Sequence, residues 1–268
     1  MDEQWTIGEV AAIFNVSTDT LRYYEKVGLL SAEKNKENGY RLYSYDDIVV
    51  LMDILFFRSM ELPLKEIKRV IAELDIEDIR ELLLRNQKIV EKRMQELKRL
   101  QQRVGRAACQ YALCLEMAGK YQFVAAPRFQ YKLISGRPED LVAMIGKYEQ
   151  EDWMDDRIQY MLCVSKEELL GRPGFGTARL GIGVGAENLH VLNETERRGL
   201  SSFDSGEYLY TVVGTNYTEA ENTMLNDALR YLKAQGRRVA GPMIGRYLAS
   251  AHKSNLDYYE IWIAVDEA

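Results

Sequence analysis

Residues 21–30 read LRYYEKVGLL, and IGEVAAIFNVSTDT stands just before them. In this stretch Ser17 and Thr18 offer hydroxyls, Arg22 a guanidinium and Tyr23 a phenol. These groups are hydrogen-bond donors of the kind that contact phosphate oxygens and base edges. A second grouping lies near the far end of the chain. Glu260 and Trp262 fall two apart in an apolar run, so on a strand they share a face. A carboxylate beside an indole is costly to bury alone. Either a structural arginine such as Arg246 pairs with it, or an organic cation does, held by charge and by aromatic faces.

The first group requires two short helices. Ile7, Val10, Ala11 and Phe14 recur at helical spacing, leaving Thr6 and Glu9 to water. Asn15 breaks that helix, Ser17 is a favourable N-cap, and Asp19 suits the positive first turn of a second helix starting near Thr18. A helix, a turn of about 3–4 residues and a second helix form the unit that offers its second helix to the major groove. Residues 38–45, NGYRLYSY, add an Asn38-Gly39 turn signal, with Tyr40, Leu42 and Arg41, Tyr43 alternating as in two short strands. Such a wing can lay Arg41 and its flanking tyrosines on a phosphate backbone. Ser44 caps a further helix running through Ile48, Leu51, Ile54 and Leu55, and Leu62-Pro63-Leu64 opens another.

IGEVA at 7–11, LRYYE at 21–25, GLL at 28–30, GYRLYSYDD at 39–47 and LPLKEIKRVI at 62–71 together resemble the winged-helix DNA-binding domain of the MerR family of transcription regulators. The resemblance implies that Thr18, Arg22 and Tyr23 meet the groove or its flanking phosphates. It also implies that Tyr24 packs or touches phosphate, and that Tyr40 and Arg41 serve the wing. Charge runs against a generally basic surface: residues 1–72 hold nine Lys or Arg and twelve Asp or Glu, and the 268-residue chain carries a formal −6. A local cluster suffices opposite phosphates, since charges beyond roughly 8–10 Å are screened.

Composition is that of a globular chain, 47% hydrophobic and 28% charged, with length for about two domains. No apolar run approaches the roughly 18–20 residues of a membrane span, and Met1-Asp2-Glu3 lacks the basic start of a signal peptide, so the cytoplasm is the expected location. Three cysteines do not form a disulfide framework.

From about Glu77 to Met117 the chain is polar and free of proline. Leu83, Val90, Leu97, Val104 and Tyr111 recur every seven residues, as the seam of a coiled coil does, with Asn86, Arg93, Leu100, Ala107 and Cys114 three further along. Asn86 and Arg93 weaken that second row and can fix register. The family resemblance implies an antiparallel homodimer through this helix, presenting two recognition helices to a two-fold symmetric site.

After Ala125-Ala126-Pro127 the pattern changes. Strands fit 129–134, 158–164 and 178–184, with a helix from 137 to 148 after the first. The order then recurs: a strand at 208–213, a helix over 218–234, and strands at 245–250 and 258–265. Two such units suggest an internal duplication. This half resembles the GyrI-like effector-binding module of BmrR-type multidrug-binding activators. Glu260 and Trp262 are the expected centre of a site for a lipophilic cation, with Tyr148, Trp153, Tyr160, Tyr208 and Tyr247 as wall candidates. Glu207 is a competing acid, on the face opposite Tyr208.

Two other chemistries have candidate residues or relatives. Cys109 and Cys114 lie where metal- or redox-sensing members of the family place ligands, but a spacing of five is no standard zinc pattern. Some GyrI-like domains resemble small-molecule hydrolases, yet no Ser-His-Asp arrangement or phosphate-binding glycine loop is present. The sequence therefore reads as an α+β chain with no enzymatic role, cofactor or metal. It comprises a winged helix-turn-helix domain at 1–75, a dimerisation helix at 76–119 and a duplicated β-α-β-β effector domain at 120–268. Its expected partners are promoter DNA, RNA polymerase, a lipophilic cation and a second copy of itself, with no membrane.

Overall fold

A computed structural model describes residues 4–35, 39–135, 142–143, 146–148, 157–216, 219 and 221–267. The chain divides into two compact units, Met1–Leu97 and Lys98–Ala268, so the division falls inside the long helix rather than at its ends.

In the first unit α1 (Ile7–Phe14) starts from Thr6, whose hydroxyl and the Glu9 carboxylate form a reciprocal capping box, and stops at Asn15 in the left-handed region. Ser17 caps α2 (Thr18–Lys26), which buries Leu21 and Tyr24. Gly28, at φ 69°, turns the chain out of α2, and the Lys68 ammonium donates to the Val27 carbonyl at 3.1 Å. Ser44 caps α3 (Tyr45–Ser59), and Pro63 precedes α4 (Leu64–Ala72). Strands β1 (Trp5–Thr6), β2 (Glu33–Lys34) and β3 (Arg41–Tyr43) form a small sheet with β3 in the middle. The wing therefore differs from the expectation of two strands within 38–45. Its outer strand is Glu33–Lys34, with Lys34 opposite Arg41, and Asn38 of the expected Asn-Gly turn lies outside the described residues.

The long helix α5 spans Ile76–Met117. Its seam is open in the single chain: Val90, Leu97, Val104 and Tyr111 are 39–64% exposed. Asn86 and Arg93 of the second row also have partners within the first unit. The Asn86 amide donates to the Met60 carbonyl at 2.9 Å and so ties α5 to the turn between α3 and α4, while Arg93 pairs with Glu61 at 2.6 Å in an exposed contact that adds little. Cys114 packs on the second unit's sheet beside Val212 and Leu248.

The second unit is built on β4 (Gln122–Ala125), β5 (Phe129–Ser135), β6 (Gln159–Val164), β7 (Arg179–Gly185), β8 (Ser201–Ser202), β9 (Glu207–Thr215), β10 (Arg237–Ala251) and β11 (Leu256–Glu267). Among the described residues they form one antiparallel sheet in the order β4-β9-β11-β10-β6-β7-β5-β8. The duplication is visible in that order. Each repeat places its third strand between its first and second, and the second strands, β6 and β10, meet in the middle. Short α6 (Lys166–Gly171) and α7 (Glu194–Arg198) precede α8 (Thr223–Ala234). The last starts later than the expected 218, because buried Asn222 caps it and also donates to the Gly214 carbonyl. Most of the helix expected over 137–148 lies outside the described residues. One sheet face carries Leu209, Val213, Ile261 and Ile263 against Leu225, Ala228 and Leu232 of α8. The other carries Trp262, Tyr208, Ile244, Met161 and Phe129.

Candidate nucleic-acid interface and effector site

On α2 the Ser17 hydroxyl is engaged at the cap, accepting from the Thr20 N–H at 3.0 Å. Thr18 is half-buried, while Arg22 and Tyr23 are exposed on the turn that follows. Arg22 reaches back to Asp19 at 3.3 Å, but with both side chains more than half exposed the pair is weak and readily exchanged for a phosphate. Tyr24 is 6% exposed among Leu21, Leu29 and Tyr43, so of its two expected roles packing is the one it fills. Tyr40 is exposed at the wing tip beside Gly39, whose φ of 72° closes the loop.

Glu25 joins these pieces, and sequence reading missed it. Its carboxylate accepts from Arg41 Nε at 2.7 Å and from the Tyr43 hydroxyl at 2.6 Å, tying the recognition helix to the wing strand. Burial, and then the hydrogen bond and charge of Glu25, push the Tyr43 phenol well above its usual range, and the same carboxylate raises the Arg41 guanidinium. Arg41 is thus positioned by Glu25 rather than standing free. The signal was available: Glu25 faces α2's buried side, one turn beyond Leu21, where a carboxylate needs a partner.

In the second unit Glu260 and Trp262 do share a face, and both are buried. Register places Arg246 opposite Glu260 and Ile244 opposite Trp262 on β10, with Val212 and Tyr210 opposite them on β9. Glu260 is not uncompensated. Arg246 pairs with its Oε1, and the Tyr210 hydroxyl donates to its Oε2 at 3.0 Å. Burial first, then the charge and hydrogen bond of Glu260, hold the Tyr210 phenol protonated well above its ordinary range. Tyr210 was overlooked although it stands two residues from Tyr208 and hence on the same face.

The expected wall separates into two groups. Tyr208 lies with Glu260 and Trp262, its hydroxyl donating to the Asp204 carbonyl at 3.0 Å. Tyr160 and Tyr247 pack edge to face on the opposite side of the sheet, with Tyr247 also against Tyr259. Tyr148 joins Ile158, Ile182 and Val184 and donates to Glu196 at 3.0 Å. Trp153 lies outside the described residues. Glu207 pairs with Arg237 at 3.0 Å. Phe129 and Phe203, not anticipated, complete an aromatic cluster around Trp262 at ring separations of 5.3 and 5.9 Å. Beside it opens a cleft of about 880 Å³ whose lining includes Arg99, Arg106 and Leu113 of α5 and Gln159, Arg246 and Leu248 of the sheet. Cys114 is buried, and burial raises its thiol, which disfavours a ligating thiolate; Cys109 is exposed.

A winged helix-turn-helix domain, a long helix and a sheet-rich domain define a modular α+β protein, and among the described residues no helix is long and apolar enough to cross a membrane. The profile described as MerR HTH family regulatory protein matches residues 5–74, and this domain belongs to that family. The multidrug-efflux transporter 2 regulator of Bacillus subtilis is 38% identical over 97 residues, 36% of this chain and 36% of its own length, so the match spans about a third of that relative. The HTH-type transcriptional activator TipA of Streptomyces coelicolor is 24% identical over 234 residues, 83% of this chain and 89% of its own. The solved N-terminus of MtaN, a Bacillus subtilis multidrug transporter activator, is 32% identical over 38% of this chain and 95% of that one, with a TM-score of 0.36. These relatives are regulators rather than enzymes.

Proposed function

We propose that the chain is a cytoplasmic, homodimeric transcription activator that binds double-stranded promoter DNA and responds to a lipophilic, cationic ligand held by its C-terminal domain. The observation that carries this reading is the exposed Arg22–Tyr23 step of α2 beside a wing that Glu25 holds in place, within a domain of the MerR family. Arg22 and Tyr23 contact the groove and its phosphates, and Tyr40 and Arg41 the flanking backbone. Two uncovered apolar rows support the dimer. One is the α5 seam; the other is Tyr45, Val49, Met52 and Phe56 on α3, spaced 4-3-4 and all exposed.

The C-terminal half supports ligand response through its duplicated sheet and the buried Glu260–Trp262 face beside an open cleft. Ligand binding shifts the dimer toward a state that bends and untwists the promoter so that RNA polymerase engages both of its elements. Bending 20–30 bp costs of order 1–6 kcal/mol, which differential ligand binding to two states can supply. The test is Arg22→Ala in a gel shift at moderate salt. Specific binding weakens by about 1–3 kcal/mol with the association state unchanged, and undiminished affinity removes Arg22 from the interface.

A further inference from the structure

Arg246 already makes the contacts that an organic cation would make. Its Nε and Nη2 pair with Glu260, its Nη1 donates to Gln159 Oε1 at 3.1 Å, and its Cζ stands 5.3 Å from the Phe129 ring centre and 5.8 Å from that of Trp262. A carboxylate on one side and aromatic rings on the others is the environment that binds delocalised cations. The Glu260 side chain is 4% exposed and that of Arg246 28%, so of the two partners the arginine is the one solvent reaches. Arg246 also lines the cleft of about 880 Å³, which gives its side chain room to move aside.

We propose that Arg246 is the specificity-determining residue of this site, a resident cation that must leave Glu260 before a ligand enters. The inference rests on the cation reading of the effector domain. Small hydrated cations lose this competition, because they replace one charge by another and cover no more of Phe129 and Trp262 than the guanidinium does. A planar, lipophilic cation wins it by burying additional apolar surface while still neutralising the acid. Because only the arrangement with Arg246 displaced is competent, the apparent dissociation constant equals the intrinsic one divided by the fraction of molecules so arranged. The side chain therefore sets both a threshold on ligand hydrophobicity and the affinity above it.

The experiment titrates the full-length wild type, Arg246→Met, Arg246→Lys and Glu260→Gln with tetraphenylphosphonium and with tetramethylammonium by calorimetry, circular dichroism verifying each fold. Arg246→Met is expected to bind tetraphenylphosphonium at least about tenfold more tightly than wild type and to acquire measurable tetramethylammonium binding, because the competent fraction approaches one. Arg246→Lys keeps a compensating charge but loses the planar fork, and is expected to gain about threefold. Should Arg246→Met fail to fold around its unpaired acid, the lysine variant decides. Equal or weaker binding by the folded variants, with wild-type binding that Glu260→Gln weakens, overturns the role of Arg246 and leaves the cation reading standing. Wild-type binding that Glu260→Gln does not alter, or no binding by any of the four proteins, overturns both.

Discussion

Tyr43→Phe isolates the hydroxyl that helps tie α2 to the wing. The ring of Tyr43 is fully buried among Val10, Leu21 and Leu51, and phenylalanine preserves that packing, so what is lost is the donor to Glu25. That bond is 2.6 Å long and ends on a carboxylate whose side chain is 17% exposed. A charge-assisted bond of this kind contributes about 1.5–3 kcal/mol, and because water can still reach part of Glu25 the lower half of that range, about 1.5–2 kcal/mol, applies. For a unit of about 100 residues each kcal/mol moves the midpoint by about 4–8 °C, so the first unit should melt about 6–16 °C lower. Differential scanning calorimetry of the full chain measures this, and fluorescence anisotropy on promoter DNA follows the consequence for binding. Glu25 retains its bond from Arg41, so DNA affinity should weaken less than for Arg22→Ala. A midpoint within about 1 °C of wild type would refute the reasoning, since even a bond worth a few tenths of a kcal/mol would move it further.

Leu97→Glu puts a carboxylate in the middle of the α5 seam, where Leu97 is 64% exposed in the single chain, and sedimentation should show monomers with poor DNA binding. An unchanged dimer would place the subunit contact elsewhere. Alkaline pH should destabilise the protein, because burial foremost raises the phenols of Tyr43, Tyr148 and Tyr210 above their ordinary 10.0. The native state then holds protons that the unfolded chain releases, so this stability is fully present below about pH 10 and is lost as pH rises further. Urea midpoints that stay level from about pH 9 to 11 would contradict it.

Helices were legible because their ends carry local chemistry. Ser17 and Ser44 cap α2 and α3 through hydrogen bonds spanning three residues, which a linear reading sees. Pairings across longer separations were less so. The wing's second strand was missed, since nothing local identifies Glu33–Lys34 as the partner of Arg41–Tyr43. Asn86 and Arg93 read as flaws in a heptad row because their partners, Met60 and Glu61, lie 26 and 32 residues away. On the sheet, alternation correctly joined Glu260 to Trp262 and separated Glu207 from Tyr208. It could not assign Tyr160 and Tyr247 to the far face, since that needs the register between strands and the irregularity in β10 between Tyr247 and Ala249.

The two units use the same three groups, a glutamate, an arginine and a tyrosine, to different ends. Glu25, Arg41 and Tyr43 join a helix to a strand that no backbone ladder connects, so their bonds position the wing and their exchange would loosen it. Glu260 and Arg246 sit directly opposite each other on β10 and β11, strands held by backbone pairing from Arg237↔Glu267 to Ala251↔Leu256. There the ladder already fixes the geometry, and a buried ion pair adds little net stability once desolvation is counted. Removing one partner would leave a buried charge, but exchanging Arg246 for another cation would not. The second triad can therefore trade its cation without disturbing the strands that hold it, which is what a ligand site requires and a structural tie does not.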